Sequence, residues 1–145
     1  MASSEHFRAG VGIVVIDSEG RVLGLERSDA PGSWQLPQGG IEAGEESLDA
    51  ARRELEEETG IRWDRVELLA EYPSWLGYEL PSANRSPKTG RGQVHRWFLV
   101  RFTGHDSDIR LNADVGGGEF GDWRWMRIDA LLTHTWEVRR PVYES

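Results

Sequence analysis

The fold of this 145-residue chain is decided by residues 39–61, GGIEAGEESLDAARRELEEETGI. The pattern predicts a helix from about Ser47 to Thr59, in which Ser47 is the N-cap and Gly60 provides a left-handed C-terminal cap. Successive helical residues turn by roughly 100°, which places the apolar side chains on one face. That face consists of Leu48, Ala51, Leu55 and Thr59. We expect it to pack against a sheet.

Three glutamates lie on an adjoining arc of the same helix, which spans roughly 100°. They are Glu54, Glu57 and Glu58, whereas Asp49 and Glu56 are predicted to face solvent. Like charges at these spacings destabilise a helix, and the helix dipole disfavours anions near its C-terminal end. Bound Mg²⁺ or Mn²⁺ would offset that cost, since hard cations prefer carboxylate oxygens. The alternative is an ordinary solvated acidic face, and the helix alone does not choose between the two.

The segments on both sides of the helix extend the pattern. The matching positions are Gly39, Glu45, Arg53-Glu54-Leu55, Glu57-Glu58 and Gly60-Ile61, nine residues within a window of 23. Together they resemble the complete Nudix box, including its two apolar positions, which is far more specific than a lone glycine motif. The resemblance implies a single α/β domain over residues 1–145, a Nudix-type α/β/α sandwich with a mixed central sheet, in which the box forms a loop–helix–loop. It also implies hydrolysis of a nucleoside diphosphate linked to another moiety.

The resemblance implies a role for each charged residue of the box. Its metal ligands correspond to Glu54, Glu57 and Glu58. A backbone carbonyl near Gln38 or Gly39 completes the ligand set. Arg53 resembles the residue that orients the catalytic glutamate, Glu54 or Glu57, and Glu45 resembles the one that braces the loop through a salt bridge. An ordinary surface pair, eight residues apart, is the alternative interpretation for Arg53 and Glu45.

These residue types suit the cleavage of a phosphoanhydride, which is kinetically inert largely because its anionic oxygens repel a nucleophile. Metal ions neutralise that charge and acidify a bound water, and a carboxylate takes the proton. No covalent nucleophile is needed, and the sequence contains no clear serine–histidine arrangement. None of the four histidines lies in a zinc-protease pattern, so we expect them to be structural or exposed.

Segments outside the box narrow the resemblance to one branch of the family. In chain order they are Phe7-Arg8, residues 33–40, residues 75–78, Gly92-Gln93 with Trp97-Phe98, Glu119-Phe120 with Trp123-Arg124-Trp125, and residues 140–144. They resemble the bacterial RNA pyrophosphohydrolases and the plant-type dinucleoside polyphosphate hydrolases, two activities that share one scaffold. Residues 30–34 and the ending at 140–144 favour the plant type, and both substrates stay open.

The same resemblance implies contacts beyond the box. Glu119 corresponds to a further metal ligand, with a solvent-facing loop glutamate as the alternative. Arg8 and Arg27 are candidate phosphate clamps, because a guanidinium binds phosphate bidentately, or else they are surface charges at strand ends. The remaining candidate substrate contacts are Trp34 and Tyr143, which can stack on a base, and Tyr78 and Gln93, beside the distal phosphates or a base. Core packing is the alternative for the aromatic members of this set.

Around the box, the sequence predicts a mixed α/β sheet rather than a regular βαβ repeat. Apolar and β-branched runs predict strands at residues 10–16, 21–26, 66–72, 94–102 and 121–126. Gly- and Pro-rich composition predicts a long loop at residues 29–44, and residues 81–92 are predicted to form an exposed loop. A short helix is predicted at residues 128–132, and Trp123 and Trp125 are assigned to the core.

Composition limits the function. The chain carries a net charge of −8 and no cysteine, which excludes a disulfide scaffold and a thiolate metal site and is consistent with a cytoplasmic enzyme. No apolar run is long enough for a membrane span, so no membrane partner is expected. Extended nucleic-acid binding is not expected either, because an acidic surface repels phosphates and would engage RNA only at its 5′ end. The alternatives are a housecleaning hydrolase of modified nucleoside triphosphates and a non-catalytic nucleotide-binding module.

Overall fold

The computed structural model describes residues 7–72, 76–79, 92–111 and 120–133. Within them lie eight strands, β1 to β8 in chain order: Phe7–Ile16, Val22–Arg27, Trp34–Gln35, Gln38–Gly40, Val66–Glu71, Leu76–Glu79, Gly92–Phe102 and Phe120–Met126. The helical elements are α1 at Ser47–Thr59, α2 at Ile128–Thr133, and 3-10 turns at Trp63–Arg65 and Asp106–Asp108. No helix in the described ranges is both long and apolar enough to cross a membrane.

All eight strands join one mixed sheet. Its hydrogen-bonded order is β3-β2-β1-β7-β5, with β4 paired to β1, β6 to β7 and β8 to β2. β1 and β7 run parallel over the whole length of β1, whereas the other pairings are antiparallel. The prediction of a mixed sheet is confirmed. The five strands predicted from the sequence are all present, as β1, β2, β5, β7 and β8, with shifted ends.

Two apolar cores lie on opposite faces of this sheet, because successive side chains of a strand alternate between its faces. Neighbouring residues divide between them, as Phe98 in the larger core and Trp97 in the second core do. The larger core includes Ile13, Leu25, Phe98 and, from α1, Ala51 and Leu55. The second core includes Val22, Trp34, Leu36, Trp97, Met126 and, from α2, Leu131. A helix therefore covers each face, which confirms the predicted α/β/α sandwich.

Helix α1 occupies the predicted range, with differences in its first turn. Glu46, not Ser47, is the N-cap, and no side chain caps the helix there. Gly60 ends the helix at φ +74°, the left-handed conformation predicted for it. Leu48 is 38% exposed and Ala50 is buried instead, so the prediction for Leu48 is wrong. Because α1 packs on β4 as well as on β1, the buried arc at the start of the helix is shifted towards Ala50.

The predicted long loop at residues 29–44 contains two short strands, which corrects that part of the prediction. β3 pairs with β2, and β4 pairs with β1. A strand of two or three residues is too short to show an alternating pattern, so the sequence did not indicate either one. β6 is a further strand without a sequence signal, and residues 81–91 of the predicted exposed loop lie outside the described residues. Of these short strands, β4 matters for the site, because it places Gly39 beside β1.

Candidate active site

β4 brings the backbone of Gly39 against the glutamate arc of α1. Gly39 pairs with Val11 of β1, and this pairing fixes its position beside the helix. A Cβ atom at Gly39 would lie 2.0 Å from Cδ of Glu54 and 2.1 Å from its Oε2. Any larger residue at this position would displace that carboxylate. The peptide of Gly39 and the side chain of Glu54 therefore lie next to each other, and their role as metal ligands stays a prediction.

Arg53 is the centre of a hydrogen-bond network that links the loop to the helix. Its Nε and Nη2 donate to the two carboxylate oxygens of Glu45, each at 2.9 Å. Nη2 also donates to the carbonyl oxygen of Gly40 at 2.8 Å. Nη1 donates to Oε1 of Glu54 at 2.7 Å and to Oε2 of Glu57 at 3.3 Å. One guanidinium thus holds a loop carboxylate, the last carbonyl of β4 and two helix carboxylates in a fixed relation.

The same contacts set the charge states of Glu45 and Arg53. Hydrogen bonds from the Arg53 side chain, and then from the backbone N–H of Glu42, lower the pKa of Glu45 to about 2 against the opposing effect of burial. The hydrogen bond to Glu45 raises the pKa of Arg53, and contacts with Glu54 add to it, although burial acts in the opposite sense. Both groups therefore stay charged throughout the neutral range. The side chain of Arg53 is 24% exposed and that of Glu45 is 16% exposed, which distinguishes this pair from an ordinary surface pair.

Glu58 contacts the beginning of β4 rather than Arg53. Its Oε1 accepts a hydrogen bond from the backbone N–H of Gln38 at 2.9 Å. Glu57, with a side chain that is 39% exposed, lies at the solvent side of the same arc. In this arrangement no three acidic or histidine side chains of the described residues converge closely enough to hold a metal ion. Glu54 and Glu57 accept hydrogen bonds from Arg53, whereas Glu58 accepts one from the backbone N–H of Gln38. The three residues are still neighbours on the helix, because positions three and four residues apart lie on the same side.

Comparison with known proteins identifies the family. The model of the NUDIX domain family matches residues 6–145. The chain belongs to the Nudix family. A relative from Rhodospirillum rubrum, named RNA pyrophosphohydrolase, is 46% identical over 142 residues, which cover 96% of this chain and 84% of the relative. Nudix hydrolase 26, chloroplastic, from Arabidopsis thaliana is 39% identical over 148 residues, which cover 97% of this chain and 68% of the relative.

Solved structures of Nudix proteins share this architecture. The binary complex of the C. elegans Ap4A hydrolase matches with a TM-score of 0.72 at 21% identity, covering 94% of this chain and 93% of that one. A MutT NUDIX hydrolase from Burkholderia pseudomallei matches with a TM-score of 0.69 at 28% identity, covering 97% and 98%. These likenesses confirm the Nudix fold. Together with the sequence relatives, they place this chain among the enzymes of the Nudix pyrophosphohydrolase class.

Arg27, a predicted phosphate clamp of this Nudix enzyme, is already paired within the protein. Its Nε and Nη2 donate to the two oxygens of Asp29 at 2.9 and 3.0 Å, and its Nη1 donates to Oε1 of Gln35 at 3.2 Å. Gln35 is 2% exposed, so it anchors the guanidinium from the core side. Sequence reasoning misses Asp29, although an aspartate two residues after an arginine at a strand end was an available signal. A phosphate bound by Arg27 would share that guanidinium with Asp29.

Trp34 of the Nudix enzyme lies in the second core rather than at an open surface. It is 5% exposed, and the guanidinium carbon of Arg124 lies 4.7 Å from the centre of its ring. Arg124 extends from β8 and Trp34 from β3, on either side of β2. The base-stacking role of Trp34 stays a prediction, and it requires Arg124 to leave the ring. Trp123 and Trp125 pack against the larger core, in agreement with their predicted place.

Three other predicted substrate contacts of the Nudix enzyme occupy one row across the sheet. Arg8 of β1 pairs in register with Gln93 of β7, and Gln93 pairs with Tyr78 of β6. Their side chains lie outside the described part of the structure, as do Glu119 and Tyr143 altogether. The register nevertheless brings together three backbone positions that are far apart in the sequence. The roles of all five residues stay predictions.

Proposed function

We propose that this chain is a metal-dependent Nudix hydrolase that cleaves a phosphoanhydride bond at the 5′-triphosphate end of RNA. The observation that carries the proposal is a complete Nudix box in a chain whose R. rubrum relative, 46% identical, is named RNA pyrophosphohydrolase. The Arg53 network supports it, because charged hydrogen bonds join the loop and the helix of the box. The net charge of −8 restricts the contact with RNA to the region of its 5′ end.

The donors of the box fit Mg²⁺ or Mn²⁺. Glu54, Glu57 and Glu58 supply carboxylates from one arc of α1, and Gly39 lies against Glu54 with no side chain between them. Carboxylate and carbonyl oxygens are the hard ligands that both ions prefer. Glu119 is proposed as a further ligand from outside the box. When bound, such an ion neutralises phosphate charge and lowers the pKa of a water molecule.

The residues of the protein would position the reacting groups. Arg53 fixes one oxygen of Glu54 and one oxygen of Glu57, and Glu45 in turn fixes Arg53. Because the pKa of Glu45 is about 2, this network is intact over the whole neutral range. Glu54 or Glu57 then accepts the proton of the attacking water. The proposed substrate contacts are Arg8, Arg27, Trp34, Tyr78, Gln93 and Tyr143.

A dinucleoside polyphosphate such as diadenosine tetraphosphate is the second candidate substrate. Residues 30–34 and 140–144 resemble the plant-type dinucleoside polyphosphate hydrolases, and the A. thaliana relative is 39% identical to this chain. Both substrates present the same kind of bond to the same carboxylates. Housecleaning hydrolysis of modified nucleoside triphosphates has less support, because the segments outside the box resemble the other branch of the family.

A side-by-side turnover assay with Mg²⁺ separates the two substrates. Diadenosine tetraphosphate and a short 5′-triphosphorylated RNA are compared, and the products are resolved. We expect the RNA to be converted to its 5′-monophosphate with release of pyrophosphate or phosphate, and EDTA to abolish the reaction. A clear preference for diadenosine tetraphosphate would contradict RNA as the substrate and favour the second candidate. Turnover that is unaffected by EDTA would contradict the metal requirement.

Two variants test the assigned carboxylates in the same assay. Glu57→Gln should lose turnover on either substrate and keep the circular dichroism spectrum of the wild type, because it removes a proposed ligand without changing the size of the side chain. Glu46→Gln is the matched control, since Glu46 is exposed at the start of the same helix and its side chain makes no capping hydrogen bond. It should retain turnover. If Glu57→Gln kept the turnover of the wild type, the assignment of Glu57 to the active site would be wrong.

A further inference from the structure

A cleft of about 450 Å³ lies on the outer side of α1. It is lined by Asp49, Arg52, Arg53 and Glu56 of the helix and by Arg62, Trp63 and Asp64 around the following 3-10 turn. Small-molecule sites have volumes of roughly 300–1,000 Å³, so the cleft is large enough for a compact ligand. We refer to it as the outer cleft.

The outer cleft is separate from the glutamate arc of the Nudix box. Since successive helical residues turn by roughly 100°, the helical residues of the cleft centre on the side of α1 that faces away from Glu54 and Glu58. Arg53 contributes to both regions, because it lines the cleft while its nitrogen atoms donate to Glu45 and Glu54. A ligand in the cleft would therefore adjoin the network of the box without occupying the carboxylate site.

Trp63 forms an aromatic wall of the outer cleft. Its indole is partly buried and packs against the larger core, and it also lines the cleft. The turn that carries it is closed by a hydrogen bond from the N–H of Arg65 to the carbonyl of Arg62 at 2.9 Å. An indole that is already held in place loses little side-chain freedom when a planar ring stacks on it, and such stacking is a main source of affinity for nucleobases.

The charged residues of the outer cleft are only loosely paired with each other. Nη1 of Arg52 lies 3.8 Å from Oδ1 of Asp49, and Nε of Arg62 lies 3.8 Å from Oδ1 of Asp64. Both separations exceed hydrogen-bonding distance, so each guanidinium can donate to a phosphate oxygen without breaking a hydrogen bond to its neighbouring carboxylate. The lining contributes three guanidiniums and three carboxylates. Because these formal charges cancel, the lining has no net positive charge that would favour a simple inorganic anion.

We propose that the outer cleft binds a nucleoside monophosphate. The base stacks on Trp63, the phosphate accepts hydrogen bonds from Arg52 and Arg62, and hydroxyl or amino groups donate to Asp49 and Asp64. This class of ligand supplies the planar ring, the anion and the donors that the lining requires, whereas inorganic phosphate supplies only the anion. The inference does not depend on the proposed hydrolysis, because none of these contacts involves the glutamate arc.

Adenosine 5′-monophosphate is the probe, added to the full chain in EDTA so that metal-dependent binding elsewhere is suppressed. The indole N–H signal of Trp63 in an NMR titration should shift saturably; it is identified by its loss in Trp63→Phe, or by sequential assignment if that variant does not fold. Arg62→Gln should raise the fitted Kd about tenfold, the effect of losing one charge-assisted contact. Arg65→Gln is the matched control and should leave Kd unchanged, since Arg65 is exposed in the same turn but does not line the cleft.

Inorganic phosphate at the same concentration should leave the Trp63 signal unmoved. The proposal is overturned if millimolar adenosine 5′-monophosphate does not shift that signal, or if wild type and Arg62→Gln give equal Kd values. An equal shift with inorganic phosphate would also overturn it, because it would show an anion site that does not require a base.

Discussion

Gly39→Ala tests the geometry of the Nudix box most directly. A Cβ atom at this position would lie 2.0 Å from Cδ of Glu54, whereas an ordinary contact begins at 3.4 Å. The Glu54 carboxylate must therefore move by the difference, about 1.4 Å. The backbone conformation presents no obstacle to alanine, because Gly39 is not among the glycines with a positive φ angle. The substitution therefore tests the effect of crowding Glu54 without adding backbone strain.

The expected loss follows from that displacement. A catalytic group misplaced by about 1 Å can cost roughly 100-fold in rate, so we expect kcat of Gly39→Ala to fall about 100-fold. Arg53 holds the same carboxylate at 2.7 Å, so the network of the box would be disturbed as well. The side chain of Glu54 is 12% exposed and has little room to yield. Overpacking of this kind destabilises a protein by about 1–3 kcal/mol.

Turnover of the preferred substrate at saturating Mg²⁺, measured together with urea unfolding, separates the rate effect from the stability effect. Gly44→Ala is the matched control, because Gly44 lies in the same stretch and a Cβ atom there would meet nothing within 4 Å. Its φ of +77° is unfavourable for alanine, so the variant should lose about 1–2 kcal/mol of stability and keep its turnover. A wild-type kcat for Gly39→Ala would refute the reasoning that Glu54 must stay in place.

Three further predictions concern the same elements. Arg53→Lys should lower kcat at least about tenfold, because one ammonium group cannot hold two carboxylates and a carbonyl as the guanidinium does; a kcat close to that of the wild type would contradict the bridging role. The pKa of Glu45 is lowered from its ordinary value of 4.5 to about 2, so its stabilising contribution is complete above pH 4.5 and is lost as the pH falls towards 2. Unfolding free energies of wild type and Glu45→Gln should therefore converge over that window, and a constant difference from pH 7 to pH 2 would show that the ion pair does not act in this way. Gly60→Ala should destabilise the fold by about 2 kcal/mol. The reason is that φ at Gly60 is +74° and the new Cβ would lie 3.0 Å from the carbonyl oxygen of Arg110. A urea midpoint equal to that of the wild type would contradict this prediction.

Features that depend on neighbouring residues along the chain could be predicted from the sequence. The helix and its left-handed end at Gly60 were predictable, because helical periodicity and a C-terminal glycine are local signals. The ion pair between Glu45 and Arg53 follows from the box pattern and is present in the structure. Strand ends were less predictable, since β1 begins at Phe7 rather than at residue 10. The pairing partner of a strand, not its own composition, decides where its ladder stops.

Features that depend on distant residues were missed or were wrong. Leu48 was expected in the core, yet it is exposed because β4 shifts the buried arc of the helix. The guanidinium of Arg27 is also held by the buried side chain of Gln35, a contact from β3 that the sequence did not indicate. Trp34 stays a candidate for base stacking, but the sequence did not indicate that Arg124 covers its ring. In each case the deciding contact comes from another strand, and hydrophobic periodicity carries no information about it.

The sequence by itself identified the Nudix box of this protein, with its carboxylates on one arc of a helix that ends at Gly60, in an acidic chain of α/β class. Those features follow from spacing along one chain segment, which the 3.6-residue period of a helix converts directly into faces. Only the tertiary structure decided that Gly39 lies against Glu54 and that Arg8, Gln93 and Tyr78 share one row. It also decided that the 3-10 turn after α1 closes a cleft on the far side of that helix. These relations arise from strand register and packing between segments remote in sequence, which local patterns do not specify.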